Sequence, residues 1–308
     1  MQERDYIEIE PPLIVGTPGL ETHIQALQVQ IDLPESPRQQ AFLHTSPEFA
    51  LKKILACGID RVFSLGKVFR NAETTSRHNI EFTMLEWYRR GASDIEMMDE
   101  TEALVRRVIR RLLGQPRLPS GTDLEPPFQR LSLRETFFNL GIDFDRLALG
   151  DAASFARAAR DWGVRVPQDE AFDDIFHRVF IEKIEPLAGA VFVYDYPLEL
   201  GCLARRHPQR PRYAQRFELF IDGLELCNGF AELTDPIEQR ARFEAELKMR
   251  AQRGLAQYSI DEKFLTALPH MGEAAGNALG FDRLVMLALG AHSIADVIAI
   301  PTPSFFTK

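Results

Sequence analysis

Cysteine is scarce in this chain. Only Cys57, Cys202 and Cys227 occur in 308 residues, and they stand too far apart for a metal-type or redox-type motif. A disulfide framework is therefore excluded, and a reduced, cytoplasmic protein is expected. Long apolar runs are missing too. None approaches the roughly 20 residues that cross a bilayer, and the polar start, Met1 to Asp5, opens no signal peptide. No membrane partner is expected. There is no internal repeat and no low-complexity tract. Nor is there an excess of basic charge: the net charge is −9. A chain that grips a long nucleic-acid backbone usually carries a positive balance. Extensive nucleic-acid binding is disfavoured, although a local patch overrides a net value.

What is present describes an ordinary folded enzyme-sized chain. Hydrophobic residues make up 45% and charged residues 26%, enough for a normal core in one large or two small domains. Residues 6–14 alternate and stop at proline, which predicts a strand; 17–40 are polar and turn-rich. Thr45 with Glu48 predicts a capping box, with Pro47 in the first turn of a helix that runs through Leu51 and Ile54 to Gly58. Residues 61–70 and 80–88 predict a hairpin. Residues 94–113 predict an amphipathic helix with Leu104, Val105, Val108, Ile109 and Leu112 inward. Arg106, Arg107, Arg110 and Arg111 share its other face, a pattern that usually marks solvated surface. Four prolines in 115–127 mark a surface loop. Residues 130–190 read as mostly helical. Strands are expected at 190–195 and 216–228, then helices at about 236–253 and at 281–289, leading into 294–300. Helices segregated from hairpin strands predict an α+β fold with an antiparallel sheet.

Four segments carry candidate chemistry. In the hairpin, alternation puts Phe82, Met84, Glu86 and Tyr88 on one face. A carboxylate between Met84 and Tyr88 breaks the usual rule that charges face outward. An aromatic plane, a carboxylate and a phenol can stack a purine and hold an amine; an unusual structural strand is the other reading. The run from Gly223 to Asp235 places Glu225 and Glu232 seven apart, on opposite faces of a straight strand. Gly229 is expected to supply the bend that turns both inward. Carboxylates of this kind suit Mg²⁺, yet spacing alone favours a solvated hairpin. Gly276 to Arg283 is glycine-rich and runs into an apolar helix. Ser46-Pro47-Glu48 is explained by helix capping alone.

Phe69-Arg70-Asn71 with Arg77 to Tyr88, and Gly276 to Arg283, resemble motifs 2 and 3 of class II aminoacyl-tRNA synthetases, and the run from Gly223 to Asp235 is similar to the lysyl family's Glu-Leu-x-Asn-Gly-Phe-x-Glu-Leu. The lysyl branch is closest, and within it the short paralogues that ligate (R)-β-lysine onto elongation factor P. The resemblance runs from about Tyr6 to Ile300. It implies a single class II synthetase catalytic domain over 1–308, with a helical insertion at about 130–190, no anticodon-binding domain and most of the motif 1 helix absent. A homodimer is implied, with motif 1 incomplete. The cofactors implied are ATP and Mg²⁺. Arg70 is implied to meet the α-phosphate, with Asn71, His78 and Asn79 near the nucleotide and Phe82 stacked on adenine. Glu225 and Leu226 are implied to serve ATP, Glu225 and Glu232 the metal, and Gly280 and Arg283 the nucleotide and its γ-phosphate. Ser46, Pro47, Glu48, Glu86, Tyr88, Glu232 and Ala278 are implied to border the amino acid. One position departs from the pattern: the glutamate two residues after the motif 2 arginine is Ala72 here, with Glu73 next.

The implied chemistry is attack of an amino-acid carboxylate on the ATP α-phosphate, giving an adenylate, then transfer to an acceptor. Ala278 stands where the tRNA enzymes have glycine, and a methyl there reshapes the space near the substrate's α-carbon. The expected substrate is β-lysine or lysine, the expected partner elongation factor P, and tRNA binding is not expected. Two other readings stay open: a lysyl-tRNA synthetase catalytic fragment, and a non-catalytic regulator that binds an amino acid or nucleotide.

Overall fold

The computed structural model describes residues 1–34, 37–145 and 151–306. They divide into two compact units: Met1–Ala92 with Glu232–Lys308, and Ser93–Ala231.

The first unit opens with β1 (Ile7–Glu8), much shorter than the expected strand over 6–14. Pro11 and Pro12 lack the N–H a ladder needs. Then β2 (Ile14–Val15), β3 (Gln28–Ile31) and β4 (Gln39–Leu43) form a small antiparallel sheet in the order β2-β4-β3. The turn-rich stretch 17–40 therefore contains a strand, whose Gln28-Val29-Gln30-Ile31 alternation the sequence reading passed over; residues 35–36 lie outside the described residues. Helix α1 (Glu48–Ala56) ends as expected, with Gly58 in the left-handed region. Its expected capping box does not form. Ser46, not Thr45, accepts from the Glu48 N–H (3.0 Å), and the Glu48 carboxylate turns to Lys52. The predicted hairpin is present as β5 (Arg61–Phe69) and β6 (Glu81–Arg90), paired from Arg61↔Arg89 to Phe69↔Glu81.

The second unit begins with α2 (Asp94–Leu113), the predicted helix. A Ser93–Glu96 capping box opens it and left-handed Gly114 closes it. Val105 and Ile109 are buried with Met97, Met98 and Thr101, but Leu112 lies exposed in the last turn. The arginine face is only partly solvated: Arg106 donates to the Leu124 carbonyl (2.7 Å) and packs over Phe128, while Arg110 pairs with Glu125. Next come β7 (Gln129–Ser132), α3 (Leu133–Asn139), α4 (Ala152–Asp161), α5 (Phe172–Lys183) and β8 (Ala190–Pro197). The stretch 130–190 is helical as expected, although residues 146–150 lie outside the described residues. Its helices share a core rich in phenylalanine, with Phe137, Phe155 and Phe176 at the centre. The expected strand 216–228 is two strands, β9 (Tyr213–Ile221) and β10 (Leu224–Ala231). Asp222 and Gly223, both at positive φ (50° and 74°), make the turn between them. Strand order in this unit is β10-β9-β8-β7.

The chain returns to the first unit with α6 (Pro236–Gln252), α7 (Glu262–Met271), β11 (Ala274–Gly280) and α8 (Phe281–Leu289). Helix α7 has no counterpart among the sequence expectations. It starts at an Asp261 cap, contains Pro269, and packs Phe264 on Phe49 of α1, with centroids 4.2 Å apart. Strand β11 pairs antiparallel with β6, giving the order β1-β5-β6-β11. Antiparallel pairing dominates, with β1–β5 and β7–β8 parallel. This is the α+β arrangement expected. Among the described residues no helix is long and apolar enough to cross a membrane. None of the three cysteines is in a disulfide.

Candidate active site

Strand β6 presents Glu86 and Tyr88 to one side, and both are buried. The Tyr88 hydroxyl donates to Glu86 Oε1 and the Ser46 hydroxyl to Oε2, each at 2.6 Å. Pro47 caps α1 and sets Glu48 in its first turn, one turn before Lys52. Lys52 Nζ pairs with Glu48 and lies 2.5 Å from Glu232 Oε2, with the Tyr88 ring centroid 5.6 Å away. Glu232 has no exposed surface, and its Oε1 has no hydrogen-bond partner among the described residues. Across the sheet, Gly276 faces Tyr88 and Ala278 faces Glu86. A Cβ on Gly276 would stand 2.2 Å from the Tyr88 ring and 2.9 Å from Glu232 Oε1. Only glycine lets the ring lie on the β11 backbone.

Burial, with the charge of Glu48 beside it, pushes the Glu86 carboxyl up to about 7, against the pull of Ser46, Tyr88 and Lys52. Burial likewise raises Glu232 to about 8, although Lys52 opposes it. Burial works against the Lys52 charge, but Glu232 and Glu48 outweigh it and hold the ammonium above its ordinary value. Three carboxylates thus share one resident cation. A buried carboxylate group of this kind is completed by a further ammonium with hydrogen-bond donors.

The hairpin end of the same unit collects the nitrogen-bearing residues. The Arg70 guanidinium lies 5.3 Å from the Phe82 centroid, and its Nε is buried with no hydrogen-bond partner among the described residues. Asn71 Oδ1 accepts from the N–H of Ala72, which sits in a left-handed turn at φ 62°. Gly280 precedes α8 and leaves 3.4 Å between its missing Cβ and the Arg283 side chain. Arg283 donates to His78 Nε2 (2.7 Å), so His78 carries its proton on Nδ1 and donates to Thr75 Oγ1 (2.8 Å). Arg283 and His78 are thereby held as a pair. Asn79 is engaged internally: it donates to the Glu81 carbonyl and Thr302 Oγ1 and accepts from the Thr302 N–H. It ties the C-terminal segment to the hairpin. Asp282 Oδ2 accepts from the Thr83 N–H at 2.7 Å, and α8 has no side-chain cap.

Glu225 and Leu226 belong to β10 of the second unit. The expected bend at Gly229 is absent, since Gly229 pairs regularly with Phe217; the irregularity falls between Glu225 and Cys227, at buried Leu226. Glu218 on β9 escaped the sequence reading. Burial raises its carboxyl, Arg216 pulls it down, and the nearby Glu225 charge raises it again. Arg216 binds Glu218 at 2.5 Å, donates to Asn228 Oδ1 and lies over the Tyr196 ring. The signal was available: Glu218 interrupts the apolar run Phe217, Leu219, Phe220 as Glu86 interrupts its own strand. Two carboxylates and an amide oxygen are hard donors that fit a small divalent cation. Glu232 is held by Lys52 as Glu218 is by Arg216, so a metal at either carboxylate would displace its cation.

Residues 1–304 match the family model of class II tRNA synthetases (D, K and N). The chain is 37% identical to the lysine–tRNA ligase of Gloeobacter violaceus, over 98% of this chain and 61% of that protein. It is also 37% identical to the lysine–tRNA ligase of Moorella thermoacetica, over 98% and 62%. It therefore spans about three-fifths of the length of these relatives. Against the elongation factor P–(R)-beta-lysine ligase of Vibrio cholerae it is 37% identical over 98% of this chain and 90% of that protein. With a match of this extent, and with its arginines and buried carboxylates set on an α+β sheet, the chain belongs to the class II tRNA synthetase family.

Proposed function

We propose that this protein is an ATP-dependent aminoacyl ligase that activates (R)-β-lysine, or lysine, and transfers it to a lysine of elongation factor P. The observation that carries this reading is the buried set of Glu48, Glu86 and Glu232 around Tyr88, with its one resident ammonium from Lys52. Such a site selects a substrate with a side-chain ammonium. The family match supplies the reaction class, and the near full-length match to an elongation factor P ligase favours the protein acceptor.

The substrate carboxylate oxygen attacks the ATP α-phosphorus. An O–P bond forms, the bond to the β-phosphate oxygen breaks, and pyrophosphate leaves. Arg70 spreads charge over the α-phosphate with its unpaired Nε, and Phe82 stacks beneath adenine. Arg283, braced by His78, meets the γ-phosphate. Glu225 with Glu218 would hold Mg²⁺, whose charge would offset that of phosphate oxygens. The ε-amine of the acceptor then attacks the activated carbonyl carbon, AMP leaves, and the amine loses a proton. Positioning and charge neutralisation suffice for such a transfer.

The test is mass spectrometry of elongation factor P after incubation with the protein, ATP, Mg²⁺ and β-lysine or lysine. A gain of one aminoacyl group is expected. Charging of tRNA instead would favour the tRNA ligase reading, which the equal identity to lysine–tRNA ligases keeps in view. No ATP–pyrophosphate exchange with either amino acid would overturn catalysis and leave a binding protein.

A further inference from the structure

The segment from Gly19 to Leu27 is fixed more firmly than a connecting loop needs to be. Arg250, fully buried in α6, donates to the carbonyls of Glu21 and Ile24 (both 2.9 Å), and its Nε binds the Ala256 carbonyl. Glu246 accepts from the Thr22 N–H at 2.8 Å, and the Ala26 N–H donates to the Tyr258 hydroxyl at 3.1 Å. The far end of the segment touches the arginine end of β5: the Asn71 N–H donates to the Gln25 carbonyl at 2.7 Å. Its near end lies against the start of the Ser46–Glu48 turn. A Cβ on Gly19 would meet Glu21 Oε2 at 2.7 Å and Thr45 Oγ1 at 3.1 Å.

This scaffold presents one side chain whose purpose is otherwise unexplained. Glu21 Oε2 is buried and has no hydrogen-bond partner among the described residues. Leaving a buried carboxylate oxygen unpaired is costly. Burial raises the carboxyl to about 7, with Glu48 adding to the rise, while Glu246 raises it further and Arg70 lowers it. The carboxylate stands beside Thr45, next to the Ser46–Glu48 turn, on a segment whose far end is bonded to Asn71 beside Arg70.

We propose that Glu21 is a specificity residue that receives the second ammonium of a diamino-acid substrate, the one nearer the reacting carboxyl group. This rests on the function proposed above. A substrate with its carboxylate at Arg70 and its far ammonium at Glu86 and Glu232 has its other amine in the intervening space. The preformed Gly19–Leu27 segment aims Glu21 there without a loop having to order on binding.

The experiment measures binding of β-lysine and of 6-aminohexanoate, which lacks the second amine, by calorimetry to the wild-type protein, Glu21→Gln and Glu21→Asp. Wild type should prefer β-lysine. Glu21→Gln should weaken β-lysine roughly 10- to 100-fold, the worth of a charge-assisted hydrogen bond, and leave 6-aminohexanoate within about two-fold. Glu21→Asp should restore part of the preference. Equal weakening of both ligands in Glu21→Gln, an unchanged preference, or no wild-type binding of either ligand would each overturn the proposal. Wild-type binding with the preference intact but no pyrophosphate exchange would overturn the catalytic reading alone.

Discussion

Arg70 and Arg283 differ in how they are held, and the difference makes separate expectations. Arg70 leans on Phe82 with its Nε unpaired, so it is poised for an anion; Arg283 is fastened to His78. Removing one charge-stabilising donor costs on the order of 100- to 1000-fold in rate. Arg70→Ala and Arg283→Ala should each lower ATP–pyrophosphate exchange by about that factor with unfolding midpoints little changed, and wild-type exchange in either variant would take that arginine out of the mechanism. Ala278 faces Glu86 across the sheet. Ala278→Gly should shift the kcat/KM ratio from β-lysine toward α-lysine by roughly ten-fold or more, since a methylene-scale change in a pocket is worth about 1–3 kcal/mol. An unchanged ratio would mean that the methyl does not touch the substrate. Side chains with strong local logic, such as Glu86 between apolar neighbours, were readable from the sequence. Glu218 obeys the same logic and was missed, because no motif drew attention to it. Glu21 was hidden in a polar stretch; its clamped backbone and its buried, unpartnered Oε2 distinguish it only in the structure.

Elements with internal periodicity were the most readable. Helices α2 and α8 and the β5–β6 hairpin lie where pattern and caps put them, because local chemistry and tertiary packing agree there. Strand β3 was overlooked although Leu27 to Leu33 alternates apolar and polar residues; the polar, turn-rich residues around it outweighed that short signal, and its pairing with β4 is a tertiary fact. The same holds for the break in 216–228: the Asp222–Gly223 turn is a local signal, but the apolar residues on both sides masked it. The exposure of Leu112 reflects the end of the packed face, which periodicity alone does not mark. Helix α7 was overlooked because Pro269 argues against a helix. Its Phe264 is nonetheless fully buried on Phe49 of α1. Phe264→Ala should cost about 3–5 kcal/mol in a denaturant titration. A loss below about 1 kcal/mol would mean that α7 contributes little to holding α1 in place.

For the whole molecule, the buried acids create a pH dependence of a defined sign. Glu21 and Glu86 are raised to about 7 and Glu232 to about 8, all above the value of 4.5 they take when exposed. The folded chain then binds more protons than the unfolded chain between those values, so stability falls as pH rises through that window. The cost is absent below the exposed value and complete above about 8. Burial lowers His44, which offsets at most one of these three protons below the ordinary histidine value, so the fall is least opposed above it. Without added substrate, the thermal midpoint should fall between about pH 6.5 and 8.5, and Glu86→Gln should flatten that fall. An unchanged slope in the variant would assign the effect elsewhere. Binding of a diamine should strengthen over the same interval, because it requires the ionised acids. Composition foresaw cysteines outside any disulfide, but not this dependence, since it arises from which acids are buried and not from how many there are.

The hydrogen at Gly276 and the methyl at Ala278 stand side by side against Tyr88 and Glu86. One of these positions has no freedom: any carbon at 276 drives into the phenol ring. The other is half-buried and can be resized. The pocket therefore has a fixed stop and a single adjustable setting next to it. Selection for a new amino acid, in a lineage or in a laboratory library, would find its first workable changes at 278, while variants at 276 would vanish before substrate choice was ever tested.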